Sequence, residues 1–439
     1  MPILSQQKQS QAPDFPNLRP SLDLRFALAK KLDPRITFTR GSTGTYFGPD
    51  GLMRTAGVNE PRFDHDPVTG QSLGLLVEEQ RTNLLLDSNN FSNWTLQSGS
   101  GGATGISTNV ITSPDGTTNA SKLFVQTQGG GTAFYSIYKS VSSIFANIYY
   151  VFSVFIKSGE GTAPSITIFD GTNNSTVFIN LTTASITSSF TAVNMTFDTC
   201  LVTNFNNGWY RVSIPFVHTV GGTFQFKINT GVNILNYGIY LYGAQLERGV
   251  EPTSYIPTTN VSTATRSPDI ANMTGTNFSS WFNQNEGTFL SIVKPSYAFP
   301  SITNFTNKCP MVVYYDNNLI HFILHRATQP QIGTRSPVNY FINVSYLGPG
   351  NLDSTSERKV CYTYKDNYYN AVVNRQTTTP DIRGEHAKTA NGLGLNSKSG
   401  EGYATSNSFN GLNALNGTIS RLTYYPIQLT NQQLINLTS

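Results

Sequence analysis

Residues 147–158, NIYYVFSVFIKS, and residues 208–220, GWYRVSIPFVHTV, decide the fold. In the second stretch Tyr210, Val212, Ile214 and Phe216 recur at every other position, which puts them on one face of an extended strand. Trp209, just ahead of that alternation, reads as core. Both stretches are rich in β-branched and aromatic residues and are bounded by Gly, Asn or Ser. The same pattern continues outward through SKLFVQT at 121–127, SITIFDG at 165–171, GTFQFKIN at 222–229 and NYGIYLYGAQLE at 236–247. No helix-length amphipathic window interrupts it. Many short strands separated by turns predict an antiparallel sandwich or jelly roll.

A polar stretch low in bulk, TTNVSTATRSP at 258–268, reads as a linker. Beyond it come GTFLSIVKPS, CPMVVYYDN, LIHFILHR, NYFINVSYL, RKVCYTYKDN, YYNAVVNR and GTISRLTYYP, a second strand-rich run. The chain closes with LTNQQLINLTS, where Thr430 or Asn431 can cap a short helix carrying Leu434 and Leu437. The two halves share no aligned repeat, so two different sandwiches are expected. The predicted class is all-β. An extended arm occupies 1–20, a hairpin block 21–86, a first sandwich 87–258 and a second sandwich 259–439.

Composition narrows the function. Charged residues make up 12% of the 439, about half the ~25% usual for soluble domains. Aromatics also make up 12%, so the chain is not of the disordered kind, which has high charge and few aromatics. The net charge of +4 comes from 29 basic and 25 acidic residues with no basic stripe, which argues against nucleic acid as a partner. No apolar run reaches the ~18 to 20 residues of a membrane helix. The first twenty residues have no basic region followed by an apolar one and do not read as a secretory signal. Cys200, Cys309 and Cys361 are too widely spaced for a disulfide framework or a zinc site and read as buried thiols.

The charge missing elsewhere is gathered in residues 21–86. Arg35, Arg40, Arg54, Arg62 and Arg81 stand there beside Asp33, Glu60, Asp64, Asp66, Glu78 and Glu79. Turn signals at GPDG (48–51) and DPVTG (66–70) mark small hairpins. Within this block, ITFTRGSTGTYFGPDGLMRTAGVNEPRFDHDPVTGQSLGLLVEEQRTNLLLDSNNFSNWTL (36–96) resembles a module of tailed-phage and prophage structural proteins, and the match runs from Phe38 to Leu85. The motifs NGWYRVSIPF and YLYGAQLERGVEPTSYIPTT resemble the carbohydrate-binding jelly roll that usually follows that module. RKVCYTYKDNYYNAVVN and GTISRLTYYPIQLTNQQLINL resemble a laminin-G or concanavalin-like lectin sandwich. The resemblance implies a virion appendage: a head fibre, tail fibre or spike displayed on the particle exterior and built as a homotrimer. Its N-terminal region would attach to a capsid, portal or tail protein, with Arg35, Arg40, Arg54, Arg62, Asp64, Asp66 and Arg81 as anchoring or intersubunit residues. The outward sandwiches would touch host-surface glycan.

Glycan contact needs flat ring faces with amides or carboxylates nearby. The candidates are Trp94, Trp281, Tyr297, Tyr368 and Tyr369. Tyr368 and Tyr369 follow Asp366-Asn367 at a hairpin tip, so alternate rings should face outward. No cofactor is expected. Asp64 and Asp66 could bind a hard cation such as Ca2+, although turn amides or the nearby arginines serve them equally well. Enzymatic readings have less support. No strand offers the paired carboxylates of a glycosidase, and there is no GxSxG elbow or HExxH helix. His321 and His325 lie four apart in LIHFILHR; on a strand that is about 13 Å, too far for one metal. The alternatives are a capsid decoration or cement protein without sugar binding and, third, a polysaccharide-degrading enzyme.

Overall fold

The computed structural model describes residues 19–296, 308–315, 318–325, 331–335, 341–345, 357–377, 380, 382, 388–395 and 413–439. Most of the predicted arm at 1–20 and the predicted glycan contact Tyr297 lie outside the described residues. The rest is all-β, with two antiparallel sandwiches as expected.

The first sandwich faces one sheet of Met195–Phe197, Trp209–His218, Tyr149–Ser158, Gly238–Arg248, Thr118–Thr127 and Ala103–Thr112 against another. The second sheet runs Ser185–Phe190, Asn174–Asn180, Ser165–Phe169, Gly222–Asn229, Tyr135–Ile144 and Thr95–Ser98. The two stretches that decided the fold are central neighbours, with Phe152 opposite Ile214 and Tyr150 opposite Phe216. Their inward side chains meet Ile166, Ile168, Phe224, Phe226 and Ile228 of the other sheet in one core. Trp209 is buried, and its Nε1 donates to the carbonyl of Thr112 at 3.1 Å.

In the second sandwich Tyr368–Val373, Arg358–Lys365, Glu286–Pro295 and Gly417–Tyr425 form one sheet. Ile270–Thr274, Gly392–Leu395, Lys308–Tyr315, Asn318–His325, Gln331–Arg335 and Phe341–Ser345 belong to the other. LIHFILHR is therefore a strand, and His321 is buried against Tyr364 with ring centroids 4.1 Å apart. The closing helix Asn431–Leu437 is capped by Thr430, which forms a capping box with Gln433. Leu434 and Leu437 seat it on Leu290, Cys361 and Val372, outside the main core.

The block at 21–86 does not stand apart. Arg62–His65 and Ser72–Val77 extend the sheet of the second sandwich through pairing with Gly417–Tyr425, and Leu22–Leu24 pairs with that same strand. Thr37–Thr39 joins the opposite sheet beside Ile270–Thr274. Strands of three to six residues cannot bury an apolar face alone. Leu22, Leu24, Phe26, Leu75 and Val77 instead share the core of Trp281, Phe289 and Tyr424. Gly74 shows how closely the chains approach. Its φ is +103°, and a Cβ there would lie 2.2 Å from the Ile419 carbonyl oxygen.

Candidate functional site

The predicted anchoring residues divide by burial. Arg40 and Arg62 are fully buried, and Arg81 is nearly so. Arg62 Nη1 lies 2.7 Å from Glu78 Oε2, and its Nη2 pairs with Asp269. Arg40 Nη1 reaches Asp269 Oδ1 at 3.0 Å, and Arg266 Nη1 reaches Glu78 Oε2 at 2.8 Å. Ser254 donates to Glu78 from its amide at 2.7 Å, and Asn416 Nδ2 donates to Glu251 Oε1 at 2.8 Å. These residues come from the block, the end of the first sandwich, the presumed linker with the residue after it, and the position just ahead of the strand Gly417–Tyr425, so they fasten these parts together. Burial alone would raise Glu78, but Arg266 and Arg62 hold it down at about 2. Arg40, Arg62 and Arg81 therefore do not present the exposed guanidinium groups expected of anchoring residues, because they are buried in ion pairs inside the chain. The segment read as a linker carries buried Arg266, and Ala264–Arg266 pairs with Arg81–Asn83. Arg35 and Arg54 pair with Asp33 and Asp50 and keep exposed surface.

The proposed cation ligands are also engaged. Asp64 Oδ1 accepts from the Phe47 amide at 2.6 Å, and burial pushes its carboxyl up to about 7. Asp66 accepts from the amides of Val68 at 3.0 Å and Thr69 at 2.9 Å. Among the described residues no group of three or more His, Cys, Asp or Glu side chains could hold a metal. His65 Nδ1 meets the Phe47 carbonyl at 3.0 Å, while its buried Nε2 has no hydrogen-bond partner. These side chains border a cavity of about 490 Å³ between Phe47 of the block, Phe205 and Arg211 of the first sandwich, and Lys294 of the second.

Among the predicted sugar-stacking rings, three are core. Trp94 is 4% exposed, and its Nε1 donates to the Asp87 carbonyl at 3.0 Å. Trp281 is likewise 4% exposed, packed edge-on against Tyr424 at 5.2 Å. Tyr369 is fully buried. Its neighbour Tyr368, across from Lys365 at the Asp366-Asn367 turn, keeps surface exposure, as alternation at a hairpin tip requires.

The open aromatic surface lies elsewhere, on the outer face of the second sheet of the first sandwich. Ile166, Ile168, Val177, Phe226 and Ile228 point into the core. Their alternates therefore point out. Register sets Tyr138 opposite Lys227, Lys227 opposite Thr167, Thr167 opposite Thr176, and Thr176 opposite Phe190. In the next row Gln225 stands opposite Phe169, and in the row on the other side Asn229 stands opposite Ser165, itself opposite Phe178. Thr167 and Ser165 form a low floor, while Phe178 is 44% and Phe190 61% exposed. Lys227 Nζ lies 4.5 Å from the Phe169 ring centroid and 5.9 Å from that of Tyr138. Burial lowers the Lys227 pKa. Asn229 Nδ2 reaches Thr167 Oγ1 at 3.3 Å, fixing the amide beside the floor. This face offers flat apolar rings, amide and hydroxyl groups, and one cation. The rings picked from sequence were all Trp or Tyr, so Phe169, Phe178 and Phe190 were not among them; GTFQFKIN, which puts Lys227 two residues after Gln225 on one face, was the available signal. A second cleft, of about 500 Å³, is lined by the polar residues Asp87, Asn89, Asn109, Asn119, Thr258 and Asn260 among others.

No protein-family profile matches the chain, and no curated protein matches it. Parts of it are similar to solved β-rich structures. One is a heptameric SAP-like pentraxin from Limulus polyphemus, at 14% identity over 35% of this chain and 70% of that one, with a TM-score of 0.26. Another is the CBM40 of the Ruminococcus gnavus IT-sialidase, bound to α2,3-sialyllactose, at 13% identity over 36% and 84%, TM-score 0.26. A third is the enzymatically active domain of tailspike protein 4 of bacteriophage CBA120, at 14% identity over 38% and 21%, TM-score 0.26.

Proposed function

We propose that this chain is a non-enzymatic virion appendage whose first sandwich contacts host-surface glycan through the open face around Tyr138, Phe169 and Phe178. One observation carries the glycan part: aromatic, amide and hydroxyl side chains share a sheet face on which no other element among the described residues is stacked, while the opposite face of that sheet is packed into the core. Sugars present C–H groups to ring faces and hydroxyls to amides, and this surface supplies both. The virion part rests on the resemblance of residues 38–85 to a phage structural module. Strands of that block pair with both sheets of the second sandwich. The exposed Arg35 and Arg54, and the N-terminal region ahead of them, would make the attachment to capsid, portal or tail protein, in a homotrimer. Each weak sugar contact would gain strength from the copies on one particle.

The test is a glycan array probed with the full chain beside Phe169→Ala and Phe178→Ala. Binding by the unsubstituted chain that both variants lose supports the reading. Binding that neither variant changes places the contact elsewhere, at Tyr368 or the polar cleft. A second reading, a decoration protein without sugar binding, is favoured by the burial of Trp94, Trp281 and Tyr369; absence of any retained glycan would remove the glycan reading in its favour.

A further inference from the structure

We infer that the outer face of the first sandwich selects acidic saccharides, with Lys227 taking the sugar carboxylate between the rings of Phe169 and Tyr138. This deepens the glycan reading above and rests on it. Lys227 stands at the centre of the face, flanked by Gln225 and Asn229 along its own strand and by Tyr138 and Thr167 on the neighbouring strands. No carboxylate lies within ion-pair distance of it among the described residues, although most other lysines of the first sandwich are differently placed. Lys122 meets Glu160 at 2.9 Å, and Lys139 meets Asp87 at 2.8 Å. The nearest acid along the adjoining strand is Asp170, just past Phe169. It is turned to His218 at 3.2 Å and to the amides of Thr172 and Asn173.

The ring partners sharpen the selection. A cation over ring faces is attracted by them, but less strongly than by a carboxylate, and it is partly stripped of water. An incoming anion recovers charge–charge energy without first displacing a resident acid. A neutral sugar would stack on Phe169 or Phe178 and meet Gln225 and Asn229, yet leave the ammonium without a counter-charge. Uronic acids and sialic acids both carry a ring-borne carboxylate, and the face reads that shared group.

The test uses the full chain on an array holding uronate, sialylated and neutral glycans, repeated with Lys227→Gln and with charge-keeping Lys227→Arg. Far-ultraviolet circular dichroism and thermal midpoints establish that both variants are folded. The expected result is a preference of about tenfold or more for acidic over neutral glycans, lost in K227Q, kept in K227R and weakened by salt. The uronate and sialylated arms tell which acid is preferred. Equal retention of acidic and neutral glycans by the unsubstituted chain overturns the inference and leaves the glycan reading standing. No retention of any glycan overturns both. Should K227Q fail to fold, the acidic-to-neutral ratio of the unsubstituted chain and of K227R decides.

Discussion

Two regions of this molecule carry positive charge in opposite ways. At the junction Arg40, Arg62 and Arg266 are buried and ion-paired with Glu78 and Asp269. On the outer sheet face Lys227 is half-buried between two rings, with no acid beside it among the described residues. A buried cation is kept charged by a resident partner, because the cost of desolvating it unpaired is several kcal/mol. A cation at the surface does not need one and stays available to a ligand. Charge density in a sequence therefore does not mark a binding surface. The most charged segment of this chain became its interior joint, and the face proposed for recognition lies in its charge-poor strands.

The contrast breaks most directly at the joint. Arg62→Ala leaves Glu78 and Asp269 short of a partner in a sealed site and should cost about 3–5 kcal/mol, measured by denaturant unfolding. A loss under about 1 kcal/mol would mean that the cluster is solvated and the division false. Trp281→Ala should cost a similar ~3–5 kcal/mol, since the ring fills core; unchanged stability with lost glycan binding would restore it as a sugar contact. Gly74→Ala drives a methyl group at the Ile419 carbonyl and should lower the thermal midpoint by several degrees, roughly 1–3 kcal/mol, without touching the outer face.

Acid sharpens the comparison from another side. Glu78 is held at about 2, below its ordinary value near 4.5, so the folded state binds its proton less readily than the unfolded state. Its stabilisation is complete above pH 4.5 and is lost as pH falls toward 2. Asp64 has the opposite sign. Raised from 3.8 to about 7, it keeps its proton in the folded state while the unfolded chain has already ionised. It therefore subtracts stability as pH rises from about 4 to 7. Asp64→Asn should flatten that slope and gain about 1 kcal/mol at pH 8, read from thermal unfolding across pH; an unchanged slope would show that Asp64 is solvated. The smallest effect belongs to the open face. Phe178→Ala should change stability by less than about 1 kcal/mol, because the ring is 44% exposed. A larger loss would mean that the face is packed and not free for sugar.

Much of the fold was legible without coordinates. Alternation marked the strands, Trp209 was recognised as core, and Thr430 capped the last helix. Asp366-Asn367 made its hairpin, with Asn367 at a φ of +60°. The site was less legible. Trp94 and Tyr369 were chosen for their chemistry, but chemistry does not state which face of an element is covered. The same gap hid Lys227: nothing local distinguishes the outer residue of a strand whose other face is core from one lying against a neighbouring sheet.

The sequence by itself determined that the fold would be built of antiparallel strands with one closing helix, where many of its turns would fall, and which residues alternate with which, because strand period and turn preference are properties of neighbouring residues. Only the tertiary structure decided that Leu22–Leu24, Thr37–Thr39, Arg62–His65 and Ser72–Val77 join the sheets of the second sandwich, that Arg62 and Arg266, far apart in sequence, share Glu78, and that Lys227 faces out between two rings. Burial and ion pairing depend on which distant segments meet, and that meeting is set by the packing of whole sheets.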